Sequence, residues 1–164
     1  MNKIFDIYKI LLTNFGYCGW WPLYNQSIKK IEYFSKDYFH PSSEEEILEI
    51  CLGAILTQNT NWKNAEKALD NLHKNNLINL DNLRKIKAKT LARIIESSGY
   101  NNQKAKKIKE FVKFLDSEKE INRENLLGIW GIGEETADSI LLYAYKKPVF
   151  VIDAYTKRIF QRLG

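Results

Sequence analysis

The sequence predicts an all-α chain, and three observations support this. Apolar residues recur at three- and four-residue intervals along most of its 164 residues. Capping and stop signals bracket those periodic stretches. The single strand-like run, 149–152, is short enough to serve instead as an extended lead into a helix.

The elements follow in order. Ile4, Ile7, Tyr8, Leu11, Leu12 and Phe15 share one face of a helix that Gly16 ends, and a loop carrying Trp20-Trp21-Pro22 comes next. Ser42 and Ser43 each precede a glutamate by three residues, Glu45 and Glu46, the capping-box arrangement that satisfies the free amides of a new helix. That helix should run through Ile47, Leu48, Cys51, Leu52 and Ile55. Beyond Asn59-Thr60, the spacing of Trp62, Ala65, Leu69 and Leu72 predicts another. Short helices are expected over 80–87 and 89–98, with Gly99 as a C-cap. Over 102–115, Ala105, Ile108, Phe111, Val112 and Leu115 form an apolar face, while Lys104, Lys106, Lys107, Lys109 and Lys113 fill the remainder as a solvated outer face or a DNA contact.

Bulk properties narrow the function classes. An apolar fraction of 45% suffices for one domain or two small lobes sharing a core. A net charge of +5 favours an acidic partner, nucleic acid first, although many proteins this basic bind no polyanion. Cys18 and Cys51, far apart in sequence, support neither a disulfide framework nor a four-cysteine metal site. Without an export signal or a run able to span a bilayer, the chain is expected to be cytoplasmic and nucleoid-associated.

The densest information lies in 126–153. Gly131-Ile132-Gly133 joins two helix-like segments, and glycine leaves the turn's backbone amides open to a phosphate. The helix starting near Glu134 adds its positive end to the same place. Ala137, Ile140, Leu141 and Ala144 continue at helical spacing, and Asp153 closes the apolar run 149–152. Such a turn with a downstream carboxylate suits a DNA-backbone clamp coupled to chemistry. Asp153 also suits a plain helix N-cap before Ala-Tyr-Thr-Lys-Arg, and the two roles are compatible.

This segment resembles the helix-hairpin-helix and aspartate motif (HhH-GPD) of the endonuclease III superfamily of DNA glycosylases. Leu52-Gly-Ala-Ile-Leu-Thr-Gln-Asn-Thr60 and Ser98-Gly-Tyr-Asn-Asn-Gln-Lys-Ala105 resemble two further segments of that superfamily, so the likeness covers about 45–164. It implies a helical barrel lobe over 42–125, the hairpin and aspartate region over 126–164, and an N-terminal segment, 1–41, that contributes to an incomplete second lobe and the base pocket.

The resemblance further implies that Asp153 stabilises an oxocarbenium-like sugar, activates water, or does both, after the target nucleotide leaves the duplex. Relatives that also cleave the strand carry a lysine two residues after the second hairpin glycine. Glu135 stands there, and a carboxylate cannot form an imine, so base removal by water without lyase activity is expected. Lys157 is the nearby amine that could substitute.

Gln58 and Asn59 match the segment whose glutamine fills the gap left by the extruded nucleotide, although Gln58 also suits a simple helix end. Gly131, Ile132, Gly133, Glu134 and Thr136 are expected at the DNA backbone. Trp130, where many relatives have proline, is expected to pack under the turn or touch DNA. The carbonyls of Leu127, Ile129 and Ile132 correspond to positions that hold a monovalent cation in this motif; no other cofactor is expected, and no iron-sulfur cluster.

Trp21, Pro22 and Trp62, with Trp20 and Glu135, resemble the base pocket of the 3-methyladenine DNA glycosylase III branch. Aromatic rings suit an alkylated purine, whose positive charge they attract. Trp20 is equally suited to a core. The expected function is therefore a monomeric, monofunctional glycosylase on double-stranded DNA. The alternatives are a glycosylase for an oxidised pyrimidine or a mismatch, and a non-catalytic DNA-binding module. Relatives usually continue beyond the helix that starts at Asp153, so the chain is expected to be a fragment, a minimal enzyme, or one completed by a partner.

Overall fold

Helix α1 spans Lys3–Phe15 and ends where Gly16 turns to φ +67° and donates its N–H to the Leu12 carbonyl at 2.9 Å. It buries none of its residues. Strands β1 (Leu23–Asn25) and β2 (Lys30–Glu32) then pair antiparallel, Tyr24 opposite Ile31. The fold is mostly helical, as the sequence predicts, and this hairpin adds one small sheet to it. Strands of three residues are too short to display alternation, and the turn between them is made by the Asn25 carboxamide, which accepts from the Ser27 N–H at 2.9 Å. The computed structural model describes residues 3–164 and divides into two units, Met1–His40 and Pro41–Gly164.

In the second unit, helix α2 (Glu44–Leu56) is capped by Ser43, whose hydroxyl accepts from Glu46 N–H, while the Glu46 carboxylate accepts from Ser42 N–H at 2.5 Å. Every residue from Leu48 to Leu56 is buried, so α2 is the central helix and shows no polar face over that stretch. Helix α3 (Trp62–Lys74) is capped by Asn61 and buries Ala65, Ala68, Leu69 and Leu72. Helices α4 (Leu80–Lys85) and α5 (Ala88–Ile94) follow, then a 3₁₀ turn at Glu96–Ser98 that stops at Gly99, φ +69°. Helix α6 (Asn101–Asp116) packs on α2, α4 and α5 through Ala105, Ile108, Phe111 and Val112. Each large apolar side chain buried in this way contributes about 1.5–3 kcal/mol.

One α6 lysine overturns the expectation of a solvated face. Lys104 is 1% exposed, and its ammonium donates to the carbonyls of Leu56 at 2.8 Å and Ser98 at 2.5 Å. Burial, reinforced by the charge of Lys107, lowers its pKa from 10.5 to about 8. Lys109 similarly donates to the carbonyls of Leu83, Arg84 and Ile86 at the end of α4.

Helix α7 (Arg123–Leu127) is capped by Asn122, and α8 (Glu134–Ser139) starts at Gly133. The helix expected through Ala144 changes character at Ile140, where a π turn over Ile140–Ala144 lets Tyr145 N–H reach the Ile140 carbonyl at 3.2 Å. The run 149–152 forms no helix or strand, and it delivers the chain to Asp153, the N-cap of α9 (Ala154–Leu163). Among the described residues the only sheet is the two-stranded hairpin, which forms no closed barrel.

Candidate functional site

Gly131 takes φ +84°, and the turn closes when Ile132 N–H reaches the Ile129 carbonyl at 3.1 Å. A Cβ at Gly131 would lie 2.6 Å from Cγ of Lys107, so glycine is required both by the backbone and by the lysine stem laid across it. At Gly133 a Cβ would meet nothing within 4 Å. The protein therefore leaves that side of the turn open. Ile132 is buried beneath, as are Thr136 and Ala137 on the inner side of α8.

Trp130 does not pack under the turn. It is half exposed, with the Lys106 ammonium 4.0 Å from its ring centroid. Tertiary contacts at the turn are made instead by Gln58: its amide nitrogen donates to the Gly131 carbonyl at 3.2 Å and to the Thr136 hydroxyl at 2.9 Å. Its amide oxygen accepts from the Lys107 ammonium. Asn59, next to it, takes the left-handed conformation at φ +51°.

Gln58, Asn59, Gly131, Gly133 and Thr136 line a cleft of about 570 Å³ with Glu134, Glu135, Ile152 and Lys157, and Asp153 follows Ile152 in the chain. Asp153 caps α9 through one oxygen: Oδ1 accepts from the N–H and the hydroxyl of Thr156, both at 2.6 Å. Among the described residues, Oδ2 makes no hydrogen bond. Its charge is felt nearby. The Glu135 carboxyl is pushed up by partial burial first and by Asp153 second, with Lys157 opposing, and the Tyr143 phenol is pushed up by burial and then by Asp153. Glu135 and Tyr143 thus lie within electrostatic reach of the aspartate, and Glu135 within reach of Lys157.

Sequence reasoning missed the pair that joins the two hairpin helices. Arg123 of α7 donates to Asp138 of α8 through Nε at 2.8 Å and a terminal nitrogen at 3.3 Å, and it lies 3.6 Å from Glu134. Neither residue belongs to a local pattern. Lys107 was visible only as one of several helix lysines.

The tryptophans expected in the base pocket lie in different units. In the N-terminal unit Trp20 is exposed and tilted 58° against Trp21, ring centroids 5.3 Å apart, with Tyr33 6.0 Å away on its other partner contact. Trp21 is half-buried and Pro22 buried. Trp62 opens α3 and is half-buried. Among the described residues no group of three His, Cys, Asp or Glu side chains could hold a metal ion, and no helix is long and apolar enough to cross a membrane.

The model of the HhH-GPD superfamily of base excision DNA repair proteins matches residues 52–164. The chain belongs to this superfamily. A putative DNA repair glycosylase of Methanocaldococcus jannaschii is 40% identical over 99% of the chain and 70% of its own length. Endonuclease III of Thermotoga maritima is 33% identical, covering 74% and 58%. Among solved structures, the Helicobacter pylori 3-methyladenine DNA glycosylase bound to 1,N6-ethenoadenine superposes with a TM-score of 0.69 at 33% identity, covering 77% of this chain and 67% of that one. An endonuclease III trapped on DNA gives 0.65 at 21% identity, covering 74% and 57%, which is a likeness of fold. As an HhH-GPD member, the chain carries the general activity of a base excision repair DNA glycosylase.

Proposed function

We propose that this protein is a monofunctional glycosylase that hydrolyses the N-glycosidic bond of an extruded alkylated purine, such as 3-methyladenine, in double-stranded DNA. The observation that carries the reading is Asp153: Thr156 holds one carboxylate oxygen, and among the described residues the other makes no hydrogen bond, next in the chain to Ile152 of a cleft lined by the hairpin glycines. Bond cleavage develops positive charge on the sugar. A fixed carboxylate offsets that charge and accepts a proton from the attacking water. Glu135, at the position where relatives carry a lysine, supplies no amine for a Schiff base.

The 33% identity to a 3-methyladenine DNA glycosylase supports the lesion class. Within the second unit, Trp62 offers aromatic surface to a cationic purine and Glu135 a negative charge. The amides of the Gly131–Gly133 turn, with exposed Glu134 beside them, meet the DNA backbone, while Thr136 is buried and holds Gln58 from within. Gln58 and Asn59 meet the vacated base-pair space. The Ile129 carbonyl accepts one turn hydrogen bond and retains a second acceptor position, so together with Leu127 and Ile132 it suits a monovalent cation, which would draw a phosphate to the turn. The protein acts as a monomer in the cytoplasm.

A second reading is favoured by Lys157, which lines the same cleft and could attack the sugar as an amine. One assay separates the two. Duplex oligonucleotides containing 3-methyladenine, uracil, an oxidised pyrimidine or 8-oxoguanine are incubated with the protein, and free base and strand nicking are followed separately. Release of 3-methyladenine without nicking is expected. A borohydride-trapped adduct would establish the Lys157 reading, and DNA binding with no base released from any substrate would leave a non-catalytic module.

A further inference from the structure

The polar atoms of Gln58 are all occupied within the protein. Lys107 donates to its oxygen, and its nitrogen is shared between the Gly131 carbonyl and the Thr136 hydroxyl. Lys107 is placed for this contact by α6, its stem pressed over Gly131, where a glycine is the only residue that leaves room. The next lysine, Lys106, sits over the Trp130 ring. Two adjacent α6 lysines therefore hold the two adjacent residues of the turn. Burial lowers the pKa of Lys107, a sign that its ammonium is partly removed from water.

A side chain bonded in this way cannot enter a DNA duplex without giving up its partners, and the ligand proposed above for this turn is a phosphate. We propose that Lys107 is a positioning residue that latches Gln58 to the hairpin in the DNA-free protein and releases it when a DNA phosphate takes over the lysine's ammonium. Backbone binding and insertion of Gln58 are thereby coupled, so that Gln58 is freed only where the backbone is already seated. The inference rests on the DNA-binding part of the function proposed above and is independent of which base is excised.

The test is a double-mutant cycle on affinity for an undamaged duplex, using Lys107→Met, which keeps the stem and removes the ammonium, and Gln58→Ala. Each single substitution loses a DNA contact but also removes the latch that binding must break. The double variant should therefore lose more affinity than the product of the single losses, by about fivefold. The salt slope of Lys107→Met should fall by about 0.9, one phosphate contact, with Lys107→Arg restoring it. In the unsubstituted protein, the Gln58 side-chain amide protons should exchange slowly with water and lose that protection when duplex is added. Losses that multiply, with the salt slope unchanged, would overturn the latch. So would a Gln58 amide that exchanges freely before DNA is present. Base release is scored separately: coupling without any base release leaves the latch standing and removes the glycosylase reading, whereas base release with multiplying losses removes the latch alone.

Discussion

The two walls of the cleft are built in opposite ways. The hairpin wall is braced from within: Ile132, Thr136 and Ala137 are buried, Arg123 ties α7 to α8 through Asp138, and Gln58 and Lys107 hold the turn from behind. The wall opposite, the aspartate wall, is Ile152 and Lys157, either side of Asp153, on an irregular segment followed by α9, which buries no residue. Asp153 is held there by its own capping bonds to Thr156. The difference shows two ways of fixing a functional group. Packing positions a surface that must present backbone atoms to a long, stiff ligand, whereas a local cap suffices to aim a single carboxylate.

Substitutions can break this contrast. The largest expected effect belongs to Asp153→Asn. Asparagine is as good an N-cap as aspartate, so the melting temperature should stay nearly unchanged while base release in single-turnover assays falls by about 10²–10⁴-fold. Loss of stability without loss of rate would reduce Asp153 to a cap.

Next comes Lys104→Met in α6, the helix that brings Lys107 to the braced wall. It leaves the Leu56 and Ser98 carbonyls without their donor and should cost about 1–3 kcal/mol in urea unfolding. The pH dependence sharpens this. Native Lys104 loses its proton above about 8, while the unfolded chain keeps it to about 10.5. The unfolded state thus binds more protons in that window, and the group's contribution to stability rises with pH by at most about 1.4 kcal/mol per unit. The stability difference between the protein and Lys104→Met should widen from pH 8 to 10.5. A constant difference would show that the ammonium is not desolvated.

Gly131→Ala should have a smaller effect, about 1–2 kcal/mol, because the left-handed conformation is strained for alanine while the Lys107 stem it meets is able to move. By displacing Lys107 from Gln58 it should also remove the contact that duplex binding must break, so duplex affinity should rise slightly. Unchanged stability and affinity would mean that the turn is less firmly braced than the aspartate wall.

The smallest effect is expected from Glu135→Gln. The fold raises the Glu135 pKa, so the native state holds that proton more tightly, and the carboxylate costs stability once pH passes through the raised value. The glutamine variant should match the parent in thermal melts below the carboxylate range and exceed it slightly at neutral pH. Equal melts at both would separate Glu135 from Asp153.

Much of the helical pattern was readable because it is local. Ser43 with Glu46 announces α2, Gly99 stops the 3₁₀ turn, and the spacing of Ala105, Ile108 and Val112 marks the inner face of α6. Lys104 escaped because a buried lysine looks like a surface one until its two carbonyls are known, and these come from α2 and from the turn before α6. Strands β1 and β2 escaped because pairing across a turn is not visible in runs of three residues. In the site, Gly131, Gly133, Glu135 and Asp153 could be named from motif spacing, whereas the hold on Gln58 could not, since Lys107 and Gly131 are far from it in the chain.

The sequence by itself determined where most helices lie, which turn carries the two glycines, and that a carboxylate stands at 135 and 153. Those properties follow from backbone and side-chain chemistry within a few residues. Only the tertiary structure decided which lysine is buried, which one grips Gln58, and that Glu135, Tyr143, Lys157 and Asp153 share one electrostatic neighbourhood. Desolvation and charge coupling depend on distance through space, and residues remote in the chain come close only when the core has packed.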